Sequence, residues 1–489
     1  MTQPDTQVPV SENFEKNIDY LLKELRIEIN FDIIYRNLKH ANKNLGLFFV
    51  DAFAKDDIAQ HILRELEHIN SYEIRKNTVE KLVQTFIPHI EVETTEDLED
   101  VIIQTLSGQA ALIVEGCKEA IIIDIREYPA RSPEEPDIER VVRGPRDGFV
   151  ETLVFNAELI RRRLRDRSLI MEYMQIGQRS KTDMVISYVD SIVDPELVKR
   201  IKKALKNINI DGIVMGEKTL EEFIFGRSIN PYPLVRYTER ADTSATHLTE
   251  GHLLLIVDGS PSVMICPTTF WHHLQHAEEY RQKPVVGAFL RWIRFIAVFA
   301  SLFLLPLWFV FSSNPDLLPE TLDFIGPEEV GEVPLFLQIL LAEIGIEILR
   351  MAAIHTPSAL ATALGLVAAI LIGEIAVEVG LFTSEVILYI AIAAMSNYAM
   401  PSYELGLANR IFRIVFLVFG ALGGLYGFLG GVILWFLVLA FTKSLNTPYL
   451  WPLVPFNFKA LLDVIIRMPI PLKKTRPSVL NTQDNVRDK

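Results

Sequence analysis

Two apolar stretches limit what this chain can fold into: "FIAVFASLFLLPLWFVF" at residues 295 to 311 and "IVFLVFGALGGLYGFLGGVILWFLVLAF" at residues 414 to 441. Each is long enough to cross a hydrocarbon layer roughly 30 Å thick. The mean hydropathy of the 489-residue chain is positive and 49% of it is hydrophobic, with the excess concentrated beyond about residue 285. A soluble protein seldom has that balance. The expected architecture is a cytosolic N-terminal half of two repeated α/β subdomains, followed by an α-helical multi-pass membrane bundle.

The first residues, "MTQPDTQVPVSENFEKNIDY", lack the basic and apolar regions of a secretory signal, so the front half is expected to stay where it is made. Two cysteines, Cys117 and Cys266, fit a reducing compartment and are read as buried small hydrophobes.

The front half reads as a duplication. "FVDAFAKDDIAQHILRELEHI" (49 to 69) matches "YVDSIVDPELVKRIKKALKNI" (188 to 208) without a gap at an offset of 139 residues. In each copy a strand ends at an aspartate, Asp51 or Asp190, and a helix with an acidic start follows. Apolar residues recur on one helical face at Ile58, Ile62, Leu66 and Ile69, and at Leu197, Ile201, Leu205 and Ile208. A second pair, "GQAALIVEGCKEAIII" (108 to 123) and "GHLLLIVDGSPSVMIC" (251 to 266), places Glu115-Gly116 and Asp258-Gly259 where strand hairpins turn. The two aspartates suit a ligand or metal, and they equally suit turns and helix caps.

Between the repeats, residues 136 to 169 hold eight arginines in a chain of net charge -14. "RGPRDG" lacks the spacing of a phosphate loop, and Glu139, Asp147, Glu151, Glu158 and Asp166 dilute any nucleic-acid surface. The favoured reading is an ordered connector built on Arg140, Arg143, Arg146, Glu151, Arg161, Arg162 and Arg163. Its helix lays Leu153, Ala157, Ile160 and Leu164 on one face, while arginines reach acidic surfaces of both repeats.

In the apolar half, Arg291 and Arg294 precede the first span, and residues 312 to 334 carry six acids with no lysine or arginine. The tail after residue 442 has eight basic residues against three acids. The positive-inside rule puts front half and tail in the cytosol, which requires an even number of crossings. Six segments are expected, at about 286 to 311, 335 to 354, 358 to 382, 384 to 400, 410 to 427 and 428 to 442, or four spans with broken helices. Trp292, Trp308, Trp435 and Trp451 are read as interfacial anchors. Glu343, Glu347 and Arg350 share one helical face, and Glu374 and Glu378 repeat the spacing. Such charges either line an ion pathway or lock helices together. His272 and His276 sit one helical turn apart, but with no third ligand they are read as part of a polar helix rather than a metal site. No G-x-S-x-G, phosphate loop or dinucleotide fingerprint occurs, so no enzyme and no cofactor is expected.

Six stretches carry a family resemblance: "EPDIERVVRGPRDGFVETLVFNAELIRRRLRD" (135 to 166), "IGQRSKTDMVISYVDSIVDPELVKRI" (176 to 201), "YTERAD" (237 to 242), "GHLLLIVDGSPSVMICP" (251 to 267), "EIGIEILRMAAIHTPSALATALGLVAAILIGE" (343 to 374) and "PYLWPLVPF" (448 to 456). In these the chain resembles the A-type subunits of the GerA family of spore germination proteins, from about residue 45 to residue 476. The family's "TERPD" is altered here by Ala241, and its "LREA" stretch by Met351 and His355, which suggests the divergent stage V sporulation protein AF branch.

The resemblance implies a multi-pass protein of the spore inner membrane with both termini on the core side. It implies a homo-oligomeric ion channel or receptor beside a transporter-like B-type partner and, in many cases, a lipoprotein C-type partner. In the divergent branch, amplification of the germination signal is the better expectation than direct nutrient recognition. A secondary transporter and a non-conducting scaffold are the competing readings. The expected divisions are 1–30, 31–135, 136–170, 171–285, 286–442 and 443–489. Asp51, Asp190, Glu239 and Arg240 mark a possible ligand cleft between the repeats.

If the connector transmits motion, the double substitution Arg143→Ala, Arg146→Ala impairs germination of spores in which the protein remains assembled. Wild-type germination kinetics in that strain would remove the transmitting role.

Overall fold

The computed structural model describes residues 7–87, 91–126, 139–226, 229–318, 332–355 and 371–487, together with residues 321, 326 and 365. The chain divides into two compact units. One comprises Met1–Arg227, Val235–Pro267 and Ile470–Lys489, and the other Ser228–Leu234 and Thr268–Pro469.

The first unit is built twice from one plan. Its first half runs α1 (Phe14–Glu24), β1 (Ile33–His40), β2 (Lys43–Val50), α2 (Asp56–Glu67), α3 (Thr78–Lys81), β3 (Val92–Thr95), α4 (Leu98–Leu106), β4 (Ala110–Val114) and β5 (Ala120–Ile123). Its second half runs α5 (Leu153–Arg163), β6 (Leu169–Ile176), β7 (Thr182–Val189), α6 (Pro195–Lys206), α7 (Gly216–Phe225), β8 (Arg236–Thr238), α8 (Ala241–Glu250), β9 (Leu253–Val257) and β10 (Val263–Cys266). The sheet orders β1-β2-β4-β5-β3 and β6-β7-β9-β10-β8 are identical. All pairings are antiparallel, so each repeat is a mixed helix and sheet unit without parallel crossovers.

Local chemistry accounts for the elements. Ala41 and Asn42 take positive φ values of 50° and 61° in the two-residue turn between β1 and β2, matching the strand twist. Gly116 and Gly259 also have positive φ, at the hairpins expected from Glu115-Gly116 and Asp258-Gly259. Asp97 and Asp194 cap α4 and α6 by accepting backbone N–H bonds. The strands β4, β5, β9 and β10 are buried throughout, which is why they read as unbroken apolar runs. Burial pushes the Cys266 thiol up to about 12, whereas Cys117 is only half-buried.

The two repeats meet along their edge strands and through the connector. Asn30, ahead of β1, bridges to Glu172 in β6, and its side-chain oxygen accepts from Met171 N at 2.8 Å. Arg161 at the end of α5 is fully buried and grips Asp32 with two bonds of 2.7 and 3.1 Å. Arg167 pairs with Glu24 at 3.0 Å and with Glu99. Arg26 reaches Asp190 at 2.6 Å. The basic tail folds back on the second repeat: Gln483 donates to the carbonyls of Asp190 and Val193, Arg476 to that of Thr249, and Arg487 pairs with Glu250.

The second unit is helical: α9 (Ala277–Arg281), α10 (Pro284–Phe299), a π turn (Ala300–Leu304), α11 (Leu305–Ser313), α12 (Leu335–His355), α13 (Ser384–Tyr398), α14 (Tyr403–Phe441) and α15 (Phe458–Ile465). Two helical stretches, Pro284–Ser313 and Tyr403–Phe441, are long and apolar enough to cross a membrane. Of the six segments expected, those at 335 to 354 and 384 to 400 are helical but do not meet that combination of length and hydropathy. α12 has the length but carries three charges. α13, at 15 residues, reaches only about 22 Å. About half of the expected segment at 358 to 382, and part of the acidic loop at 312 to 334, lies outside the described residues.

α14 is broken at Gly423 and Gly424, where φ, ψ of 54°, -137° at Gly424 suits glycine. The chain reverses there. Asn409 accepts from the Tyr232 hydroxyl at 3.0 Å and Trp435 Nε1 donates to that hydroxyl at 2.6 Å, although an unbroken helix would hold residues 409 and 435 about 39 Å apart. The separation expected between 410 to 427 and 428 to 442 is thus a hairpin of helices. Trp308 is buried and stacked on Tyr389 at 4.6 Å, so it packs the core instead of anchoring an interface. Leu422, Tyr426, Ile433 and Phe441 instead point outward.

Removing one partner of a buried ion pair leaves the other uncompensated. Asp32→Ala is expected to cost about 3–5 kcal/mol, read as a lower urea midpoint. Glu158 on α5 is buried without a hydrogen-bond partner among the described residues, and burial pushes its carboxyl from 4.5 up to about 8. The folded chain therefore holds that proton more tightly, and its contribution to stability, complete below 4.5, is lost as pH rises toward 8. Glu158→Gln is expected to flatten the fall in unfolding midpoint between pH 5 and pH 9.

Candidate functional site

The acidic residues expected on one helical face of α12 meet partners on α14. Glu343 Oε2 accepts from Arg413 Nη2 at 2.6 Å, with both side chains buried. One turn along, Glu347 pairs with both Arg350 and Arg410. Arg350 also reaches the Tyr403 hydroxyl and lies over its ring, 5.3 Å from the centroid. Along this ladder residues 343, 347 and 350 meet residues 413, 410 and 403, so α12 and the first arm of α14 run antiparallel. Their i, i+4 and i, i+3 spacings bring successive turns into register.

Other elements fix the ladder. Arg413 Nη1 donates to the Ser301 carbonyl at 2.8 Å, within the π turn that interrupts α10 and α11. Asn397 at the end of α13, with its amide oriented to donate to Gly406 O, accepts from Arg410 at 2.7 and 2.9 Å. Gly406 suits this approach, since a Cβ there would lie 3.2 Å from the Asn397 amide, a tight contact. Two carboxylates against three guanidiniums leave one positive charge in excess.

Glu374 and Glu378 do not join the ladder. Both are exposed and form no ion pair among the described residues, and a π turn at Leu371–Ile375 interrupts the expected helical spacing between them.

Sequence reading missed Arg410, Arg413, Asn397 and Tyr232. The signal for the first two was present in "NRIFR" (409 to 413), a basic i, i+3 pair inside an apolar run. Tyr232 had no such signal. It is buried among Phe270, Phe412 and Tyr449, and its neighbour Asn230 donates to Thr442 Oγ1 at 2.8 Å.

A second charge centre gathers at the start of α10. Glu279 is fully buried between Arg291, at 2.8 Å, and Arg294. Arg291 also donates to the carbonyls of Asp463 and Val464, and Trp292 to that of Ile465. A Cβ on Gly287 would fall 2.3 Å from the Glu279 carbonyl oxygen. His272 takes part in a capping box with Thr269, and His276 caps α9.

In the first unit, Arg161 is the buried anchor already described, and Arg163 pairs with Asp147 within the connector. Arg140, Arg143, Arg146, Glu151 and Arg162 are exposed. Arg240 is buried, holding Asp242 at 2.9 and 3.0 Å and the carbonyls of Glu139 and Pro145, while Arg236 pairs with Glu139 at 2.8 Å. The "YTERAD" segment thus clasps the start of the connector. Asp190, at the end of β7, borders an open cavity of about 640 Å³ with Tyr188, Val198 and Lys202. Glu239 follows β8, three strands and roughly 14 Å across the sheet from β7. Asp51 belongs to the other sheet, and its carboxyl is pushed upward by partial burial and by Asp56 and Asp32. These four residues are therefore spread over two sheets.

The family model of the Bacillus/Clostridium GerA spore germination protein matches residues 19–479. Stage V sporulation protein AF of Bacillus subtilis (strain 168) is 48% identical over 99% of this chain and 98% of its own length, in line with the branch suggested by Ala241, Met351 and His355. Spore germination protein GerLA of Bacillus cereus is 30% identical over 96% of this chain and 97% of its own. The crystal structure of the N-terminal domain of the A subunit of the Bacillus megaterium spore germinant receptor GerK3 aligns with 54% of this chain and 98% of that one, at 24% identity and a TM-score of 0.42.

Arg413→Met strands the buried Glu343 and is expected to cost about 3–5 kcal/mol, whereas Glu343→Gln combined with Arg413→Met recovers most of the loss. Thermal unfolding of the detergent-solubilised chain and both variants measures the coupling.

Proposed function

Because the chain belongs to the GerA family of spore germination proteins, we propose that it is a membrane subunit of a spore germination receptor and ion-channel complex. In this reading it promotes ion release and senses or amplifies the germination signal. The observation that carries the reading is the helical unit itself: apolar side chains face outward while arginine and glutamate pairs are held inside. Lipid is the surrounding that rewards that inversion.

The folded tail supports the topology. Residues 476–487 bind the second repeat, which supports a reading in which front half and tail share one side of the membrane and the crossings between them are even in number. We assign that side to the spore core, and the helical hairpin of α14 supplies two of the crossings. The proposed assembly contains several copies of the chain with a transporter-like B-type partner and, in some complexes, a lipoprotein C-type partner. No catalytic step is part of it.

Within the helical unit the ladder of Glu343, Glu347, Arg350, Arg410 and Arg413 acts as the lock that holds α12 to α14. Glu374 and Glu378, exposed and without ion pairs among the described residues, supply the carboxylates facing permeant ions. A scaffold without conduction is the second reading, favoured by the ladder being closed within one chain.

Ion efflux from liposomes holding the protein with its B-type partner separates the two. Glu374→Gln with Glu378→Gln is expected to lower efflux several-fold in an assembled complex. The pair Glu343→Gln, Glu347→Gln is expected to change gating or assembly instead. Membranes that stay tight in every condition would favour the scaffold.

A further inference from the structure

Duplication places α2 and α6 at equivalent positions, since residues 56 and 67 correspond to residues 195 and 206 under the 139-residue offset. Their buried faces are alike: Ile62 and Leu66 in one, Ile201 and Leu205 in the other. Their outer faces are opposite in charge. α2 carries Asp56, Asp57, Glu65 and Glu67 against Arg64, a net of -3, while α6 carries five cations against Glu196, a net of +4.

The acids of α2 and three lysines of α6, Lys199, Lys203 and Lys206, have no ion pair to another element among the described residues. Lys199 has only Glu196 of its own helix at 4.0 Å. Lys202 is tied down by Glu172 and by Tyr188. Beside α6 lies the open cavity of about 640 Å³, with Lys199, Lys203 and Lys206 at its rim. A solvated helix needs no such excess of one sign, and two faces of matching length with opposite excess are complementary.

We propose that α2 of one copy docks against α6 of a second copy, joining chains head to tail through their repeats. The occupant is this chain itself because the acidic partner surface is its own, fitted to an equivalent scaffold. Two different patches make a heterologous contact, which propagates from copy to copy and closes into a ring when the rotation allows. The inference rests on the oligomeric membrane subunit proposed above and names the surface that sets its order.

The test uses the full chain in liposomes, with copies carrying donor or acceptor fluorophores at the N-terminus. Wild type is expected to show energy transfer that weakens with salt. Reversing α6 with Lys199→Glu, Lys203→Glu and Lys206→Glu, or α2 with Asp56→Lys, Asp57→Lys and Glu67→Lys, is expected to weaken association about tenfold or more. The variant with both reversals regains complementarity and is expected to restore transfer, which also shows that the reversed helices fold. Transfer absent in wild type, unchanged by either reversal, or not restored by the combination overturns the proposal. Normal transfer with no ion efflux would sink the channel reading and leave this one standing, and efflux indifferent to both reversals with transfer unchanged would do the opposite.

Discussion

A charged group held among apolar side chains persists only when an opposite charge and hydrogen bonds replace the water it has lost. This constraint organises both units. In the helical unit it explains why α12 and α14 are registered turn by turn through Glu343 with Arg413 and Glu347 with Arg410. It also explains why the buried Glu279 carboxylate has two arginines around it. In the first unit, Arg161 spends its donors on Asp32 and on the carbonyls of Asp166 and Leu169. Such groups add less to net stability than to geometry, because a register shifted by one turn would leave each charge alone.

The path of the chain gives the second organising fact. It passes from one unit to the other four times, since Ser228–Leu234 and Ile470–Lys489 each belong to the unit that their sequence neighbours do not. The short excursion ends in the buried Tyr232, held by Asn409 on one arm of the helical hairpin and Trp435 on the other. The tail belongs to the first unit, where Gln483 donates to the carbonyls of Asp190 and Val193 in the loop after β7.

Much of the first unit was legible in the sequence. Gapless repetition, hairpin turns at Glu115-Gly116 and Asp258-Gly259, and the periodic faces of α2 and α6 all follow from local patterns. The antiparallel pairing of β2 with β4 and of β7 with β9 was not legible, because a fully buried run looks alike in parallel and antiparallel sheets and these strands are far apart in the chain. Among the candidate site residues, sequence spacing placed Glu343, Glu347 and Arg350 on one face. It could not show that Glu343 and Glu347 pair with Arg413 and Arg410, sixty to seventy residues away, or separate those two acids from Glu374 and Glu378, which stay exposed. Arg240 looked like a cleft residue, and burial with Asp242 and Glu139 gives it a bracing position instead.

What the sequence determined by itself was local or additive: two apolar stretches, a duplicated front half, helix faces, and the signs of charge on each helix. These depend on neighbours within a turn or a strand, where backbone geometry fixes which residues share a face. Only the tertiary structure decided which charges neutralise each other, that the apolar run at 414 to 441 reverses at Gly423-Gly424, and that the tail returns to the second repeat. Those outcomes depend on contacts between residues far apart in the chain, whose energies arise from desolvation and close packing that no local pattern encodes.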